Sequence, residues 1–164
     1  MNEMTTYERL IQLLDRHGAR YRLIDHAPEG RTELVSPLRG NQVAQAAKCI
    51  VLLVKQGKKT TNYVLAVVPG DARVDRAAIK AATNATFVAF AEAQMAEELA
   101  GSVVGTVLPF AFDPRLELIA DPGLMAHDEI FFNAARLDRS MALKTEDYVR
   151  VAAPRFERIA EARP

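Results

Sequence analysis

Apolar positions along the chain change period several times, and each change marks an element. Leu10, Ile11, Leu13 and Leu14 share one face of a helical wheel, with Thr5 or Thr6 ahead as a cap and Gly18 behind as a stop. That pattern predicts an amphipathic helix covering a sheet. Residues 21–24 alternate as a short strand and run into the turn Asp25-His26-Ala27-Pro28-Glu29-Gly30. Residues 32–40 predict a short helical piece disturbed by Pro37, because a helix accepts proline without loss only in its first turn. The run 50–54 is unbroken aliphatic and β-branched, too short for a helix, and reads as a strand buried on both faces. Lys48 stands at its mouth, and alternation places it on the face of Ala46, Ile50 and Leu52, with Cys49 opposite.

Gly57-Lys58-Lys59-Thr60-Thr61-Asn62 joins that strand to a second apolar one, 63–68, so the pair reads as a hairpin. Residues 74–82 predict a short helix with Val74, Ala78 and Ile79 inward, 86–90 a strand, and 91–100 a helix stopped by Gly101. Residues 101–110 look strand-like and close on a proline. Gly105 inside that run marks a bulge or a close approach of ligand to backbone. Residues 116–120 and 129–133 are strands separated by the turn Asp121-Pro122-Gly123, and 141–144 is the last strand. Thr145 is expected to cap a closing helix from Glu146 to about Ala153, with Pro154 and a polar tail beyond. About seven short strands and four or five helices in mixed order predict one α+β domain over residues 1–164, with its core at about 7–154. The sheet is largely antiparallel, a barrel being one form it can take.

Composition narrows the function classes. Among 164 residues, 49% are hydrophobic and 26% charged, which excludes a disordered chain. Basic and acidic residues number 21 each, so no overall field draws the molecule to nucleic acid or anionic lipid. A polynucleotide partner would need a local basic patch or recognition of one end only. Lys55, Lys58 and Lys59 form a compact basic cluster, either a solvated hairpin tip or a phosphate contact. The lone Cys49 excludes an intramolecular disulfide, and its apolar neighbours favour a buried hydrophobe over a nucleophile. The N-terminus lacks a basic region followed by an apolar run, and no segment approaches a membrane span, so a cytoplasmic location is expected.

The familiar catalytic signatures are missing. There is no glycine-rich phosphate loop, dinucleotide fingerprint, HExxH or CxxC. His17, His26 and His127 lack metal-ligand spacing, and Ser36, Ser102 and Ser140 lack a nucleophile-elbow pattern. Glu97-Glu98 lies on a solvated helix face. No metal or cofactor is expected, which leaves Lys48, backbone amides and the substrate itself. Lys48 has two readings: a lysine that packs its stem and returns its ammonium to water, or a pocket lysine that holds an anionic or carbonyl oxygen. His26 likewise either lines a cleft or is a solvated turn residue.

Taken in order, Ala47-Lys48-Cys49-Ile50-Val51, Gly101-Ser-Val-Val-Gly105, Leu108-Pro109-Phe110 and Phe132-Asn133-Ala134-Ala135 resemble the YbaK/EbsC family of aminoacyl-tRNA deacylases. That family includes the editing domain inserted in bacterial prolyl-tRNA synthetases, and the likeness spans about 7–154. Residues 105–122 and 132–148 look like its free-standing YeaK branch, whose members act on tRNAs mischarged with serine or threonine. The resemblance implies Lys48 as the catalytic residue, Gly105 as the glycine of the substrate loop and Asn133 as the polar residue of the penultimate strand. Thr106 and Pro109, in the loop of Gly105, and Tyr21 and His26, in the segment bordering the family's pocket, complete the substrate-binding set it suggests. Ala135 departs from the branch, which has glycine after Asn-Ala; the extra methyl either narrows the pocket or shifts a turn.

The implied activity is trans-editing: hydrolysis of mischarged seryl- or threonyl-tRNA, with Lys48 positioning the substrate and stabilising the oxyanion. The ester is already activated, so orientation and oxyanion stabilisation matter more than strong acid-base power. A second sieve is needed because a synthetase pocket rejects an added hydroxyl only about 100-fold. The partners implied are the acceptor end of a mischarged aminoacyl-tRNA and an aminoacyl-tRNA synthetase, with no DNA or membrane. Two other readings stay open: a non-catalytic module of the same fold that binds tRNA or a synthetase, and a pocket for a free amino acid or nucleotide.

Overall fold

The computed structural model of the protein describes residues 4–161. The centre is a long hairpin, β2 (Ala47–Gln56) and β3 (Thr60–Pro69), paired antiparallel along its whole length from Ala47↔Pro69 to Gln56↔Thr60. Alternation along these strands makes two cores. Val51, Leu65 and Val67 face one way and join Leu10, Leu14, Ile130 and Leu143. Leu52, Val54, Val64, Ala66 and Val68 face the other way and join Ile79, Ile119 and Ile159. Burial on both faces explains why these strands read as continuous apolar runs.

Before the hairpin come α1 (Thr6–Arg16), β1 (Tyr21–Asp25) and α2 (Thr32–Arg39); after it come β4 (Arg73–Val74), α3 (Arg76–Thr83), β5 (Phe87–Phe90) and α4 (Ala93–Ala100). The chain closes with β6 (Leu116–Ala120), β7 (Glu129–Asn133), β8 (Arg139–Lys144), α5 (Thr145–Ala152), β9 (Arg155–Phe156) and β10 (Ala160–Glu161). The large sheet runs β5-β2-β3-β6-β9, with β6 parallel to both β3 and β9; a second sheet is β1-β8-β7, and β4 pairs with β10. The α+β expectation holds, but the barrel form does not. The large sheet ends in strands of four and two residues, and its link to the second sheet is a single bridge, Ala46↔Phe131.

Local chemistry accounts for most boundaries. Thr5 caps α1 in a reciprocal box with Glu8, and Asp75 caps α3 through the Ala78 amide. Pro37 lies inside α2, later than expected, in a helix that ends at Arg39 with Gly40 in the left-handed conformation. Thr145 is the first residue of α5 rather than its cap, and its hydroxyl donates to the His127 carbonyl. Residues 101–115 contain no strand, contrary to the expectation for 101–110: Gly101 and Gly105 both have positive φ, and the Thr106 amide closes a turn on Val103. The expected polar tail forms β9 and β10, with residues 162–164 outside the described part. No helix among the described residues is long and apolar enough to cross a membrane.

Candidate active site

Three segments that are distant in sequence converge where β2 begins. The turn after β1 and the start of α2 supply Gly30, Arg31, Thr32 and Glu33; the first residues of β2 supply Ala47, Lys48 and Cys49; the end of β7 supplies Phe132 and Asn133. With Val35, Arg39, Gly105 and Val107 they enclose a cavity of about 270 Å³. Lys48, Gly105 and Asn133, the three positions that the sequence motifs single out, therefore share one cavity. Lys48 sits on the Ile50 and Leu52 face of β2, opposite Val68, as alternation requires.

Asn133 is held firmly. Its Oδ1 accepts from Arg39 Nη1 at 3.0 Å and from Ser140 Oγ at 3.1 Å, and its Nδ2 donates to the Glu29 carbonyl at 2.7 Å. A carbonyl can only accept, which fixes the amide orientation. Arg39 is buried and also donates through Nε to Asn41 Oδ1 at 2.8 Å and through Nη1 to Ser140 Oγ at 3.0 Å. Burial pushes its guanidinium down to about 10, so it remains charged at neutral pH. Arg39 thus brings a cation to the cavity wall and aligns Asn133.

His26 lies one contact behind this wall. Its Nδ1 faces the Ala27 carbonyl at 2.8 Å and its Nε2 faces Ser140 Oγ at 2.7 Å. The carbonyl can only accept, so Nδ1 donates to it, and Ser140 Oγ is the shared contact of His26, Arg39 and Asn133. His26 touches the network without lining the cavity. Tyr21 points elsewhere, donating to Asp15 Oδ1 at 2.8 Å; burial, then Asp15, pushes its hydroxyl up to about 12. Thr106 is buried and donates to the Val103 carbonyl at 2.7 Å, while Pro109 is buried between Leu108 and Phe110. Neither lines the cavity; both shape the loop that carries Gly105.

Gly105 has φ +90° and meets Gly30 backbone to backbone. A Cβ built on it would lie 2.9 Å from Gly30 Cα and 3.2 Å from Gly30 O. The glycine is needed for loop-on-loop approach as well as for its dihedral. Ala135 has φ +60° and does not line the cavity, so the glycine of the related branch fits a left-handed turn position and the alanine here strains that turn. Sequence reasoning missed Gly30, Arg39 and Ser140. Arg39 before Gly40 reads as an ordinary basic residue in a last helical turn, and only the fold shows that it points inward. Among the described residues no group of three His, Cys, Asp or Glu could hold a metal ion.

A small cavity with a lysine at a strand mouth, a clamped asparagine and a glycine loop defines the class on which the motifs converge. The chain belongs to the aminoacyl-tRNA editing-domain family, a family of hydrolases, whose model matches residues 26–151. It is 41% identical over 150 residues to the multifunctional Ser/Thr-tRNA deacylase ProXp-y of Escherichia coli strain K12, an alignment that covers 91% of this chain and 89% of the relative. Among solved structures, the hypothetical protein APE2540 superposes with a TM-score of 0.84 at 21% identity, covering 94% of this chain and all of that one. A candidate trans-editing enzyme for prolyl-tRNA synthetase gives 0.80 at 16% identity, over 98% of this chain and 100% of that chain. These two likenesses are of fold.

Proposed function

We propose that the protein deacylates tRNA mischarged with serine or threonine, with Lys48 as its catalytic cation. The observation that carries this reading is the meeting of Lys48, Gly105 and Asn133 in one small cavity, in a chain 41% identical to a deacylase of that name. The cavity is near the lower end of the range of about 300–1,000 Å³ for small-molecule sites, which suits a small aminoacyl group. Its wall sets the polar side chains of Thr32, Arg39 and Asn133 beside Val35, Val107 and Phe132. A wall that hydrogen-bonds a substrate hydroxyl rejects analogues lacking it far better than an apolar wall rejects an added one. Alanyl esters are therefore the poor substrates.

In the reaction the ester carbonyl lies against the Lys48 ammonium, which stabilises the oxyanion as water adds to the carbonyl carbon and gives up the proton that the leaving ribose oxygen takes. The Gly105 amide is the second source of oxyanion stabilisation, its neighbours Val104 and Thr106 donating instead to Glu97 and Val103. Collapse of the intermediate expels the ribose oxygen, which leaves with a proton. Asn133, with one amide hydrogen committed to Glu29, has a second to offer the substrate. Lys48→Ala is expected to lower kcat for Ser-tRNA and Thr-tRNA by about 100-fold or more while circular dichroism stays native. Undiminished turnover would remove Lys48 from the mechanism, and no hydrolysis of any aminoacyl-tRNA by the unmodified protein would leave a binding module.

A further inference from the structure

Lys48 lines a second cleft besides the cavity. That cleft, of about 480 Å³, is formed by Lys48, Ile50, Arg73, Val74, Arg76, Phe90 and Glu161. Phe90 lies directly across from Leu52 at the free edge of the large sheet, so its side chain shares the face of Lys48 and Ile50. Phe90 is 58% exposed, and the Arg76 guanidinium lies 5.5 Å from its ring centroid. Three cationic side chains stand against one carboxylate in the lining. The ion pairs that occupy Arg20, Arg22, Arg139 and Arg155 are not repeated at Arg73 or Arg76 among the described residues.

We propose that this cleft binds the unpaired 3′ end of an RNA, stacking a base on Phe90 while Arg73 and Arg76 contact its phosphates. An exposed ring with arginines beside it is the chemistry that holds single-stranded nucleotides without reading their sequence. The charge balance of the cleft matches a polyanion, although the chain as a whole carries no net charge. The proposal rests on the deacylase reading and extends it. Lys48 then stands between a nucleotide cleft on one side and the aminoacyl cavity on the other, where the ester linking the two parts of the substrate belongs. It also gives the short exposed edge β5 a use. Phe87 tests this, being 51% exposed on the same strand but opposite Lys55, and so on the other face.

The experiment is binding of the full chain to two fluorescein-labelled RNA hairpins, one ending in single-stranded CCA-3′ and one blunt, across a salt series. The unmodified protein is expected to prefer the overhang. Phe90→Ala should weaken overhang binding roughly tenfold, Phe90→Tyr should retain it, and Phe87→Ala should leave it unchanged. Arg73→Ala and Arg76→Ala should each lower the salt slope by about 1, whereas Arg115→Ala should not. Equal affinity for both hairpins, wild-type overhang binding by Phe90→Ala, or an unaltered slope in both arginine variants would overturn the proposal. Thermal melting of each variant separates lost binding from lost fold. The assay needs no hydrolysis, so intact overhang binding by a protein inert on Ser-tRNA would sink the deacylase reading alone. An active enzyme whose KM for Ser-tRNA is unmoved by Phe90→Ala would sink this proposal alone.

Discussion

Tyr148 carries the one buried side-chain polar atom without a hydrogen-bond partner among the described residues. Its ring is fully buried and meets Phe110 edge-on with centroids 5.4 Å apart. Burial, and next the nearby Cys49, pushes its hydroxyl well above the ordinary tyrosine range. A hydroxyl desolvated without a partner costs about 1–3 kcal/mol, whereas the ring packing survives its removal. Tyr148→Phe is therefore expected to raise stability by about 1 kcal/mol in urea denaturation; a decrease would reveal a buried water serving the hydroxyl. At this scale legibility in the sequence depended on ordered motifs. Lys48, Gly105 and Asn133 stood in such motifs. Arg39, Gly30 and Ser140 stood in none: Arg39 meets Asn133 across 94 positions of chain, Gly30 meets Gly105 across about 75, and Ser140 gains its role only because β8 pairs with β7 and sets it opposite Asn133.

At the level of elements, the strands with strong apolar character were readable nearly to the residue. Leu116–Ala120 and Glu129–Asn133 form where expected, and β2 and β3 extend beyond the apolar runs because hairpin pairing continues into their polar ends. The loop between α4 and β6 was misread. Its valines resemble a strand, yet Val103 and Val104 are exposed and two positive-φ glycines bend the backbone away from any ladder. That bend brings Gly105 onto Gly30. Gly105→Ala adds a Cβ at 2.9 Å from Gly30 Cα at a φ that alanine tolerates poorly. Neither contact atom is the end of a flexible side chain, so one loop must move. A stability loss of about 1–3 kcal/mol is expected, with a larger fall in deacylation of Ser-tRNA than the unfolded fraction explains. Activity scaling only with the folded fraction would reduce Gly105 to a structural role.

For the whole molecule, the sequence implied an α+β mixture but not how the ends of the chain are tied in, since those ties are single carboxylates. Asp121 accepts from the amides of Gly123, Ile159 and Ala160, which holds the segment leading into β10 against the end of β6. Asp147 on α5 accepts from the backbone amide of Arg20 at 2.8 Å and from its Nε at 3.0 Å, joining the last helix to the entry of β1 across 127 positions. The Arg20 side chain, then its amide, holds the Asp147 carboxyl down at about 2, against an ordinary value near 3.9 in the unfolded chain. A carboxyl depressed in the folded state stabilises above its unfolded value, and that contribution is lost as pH falls from about 4 to about 2. Arg20 is more than half exposed, so solvent screening reduces the benefit to about 1 kcal/mol. Asp147→Asn is accordingly expected to be less stable than the unmodified protein by about that amount at pH 7. The two stabilities should converge as the pH is lowered through 4, which urea denaturation at pH 7, 5, 3 and 2 would record. A difference that stays constant over that range would mean that Asp147 acts through hydrogen-bond geometry, which asparagine disturbs at any pH, and that its charge contributes nothing to closing the chain.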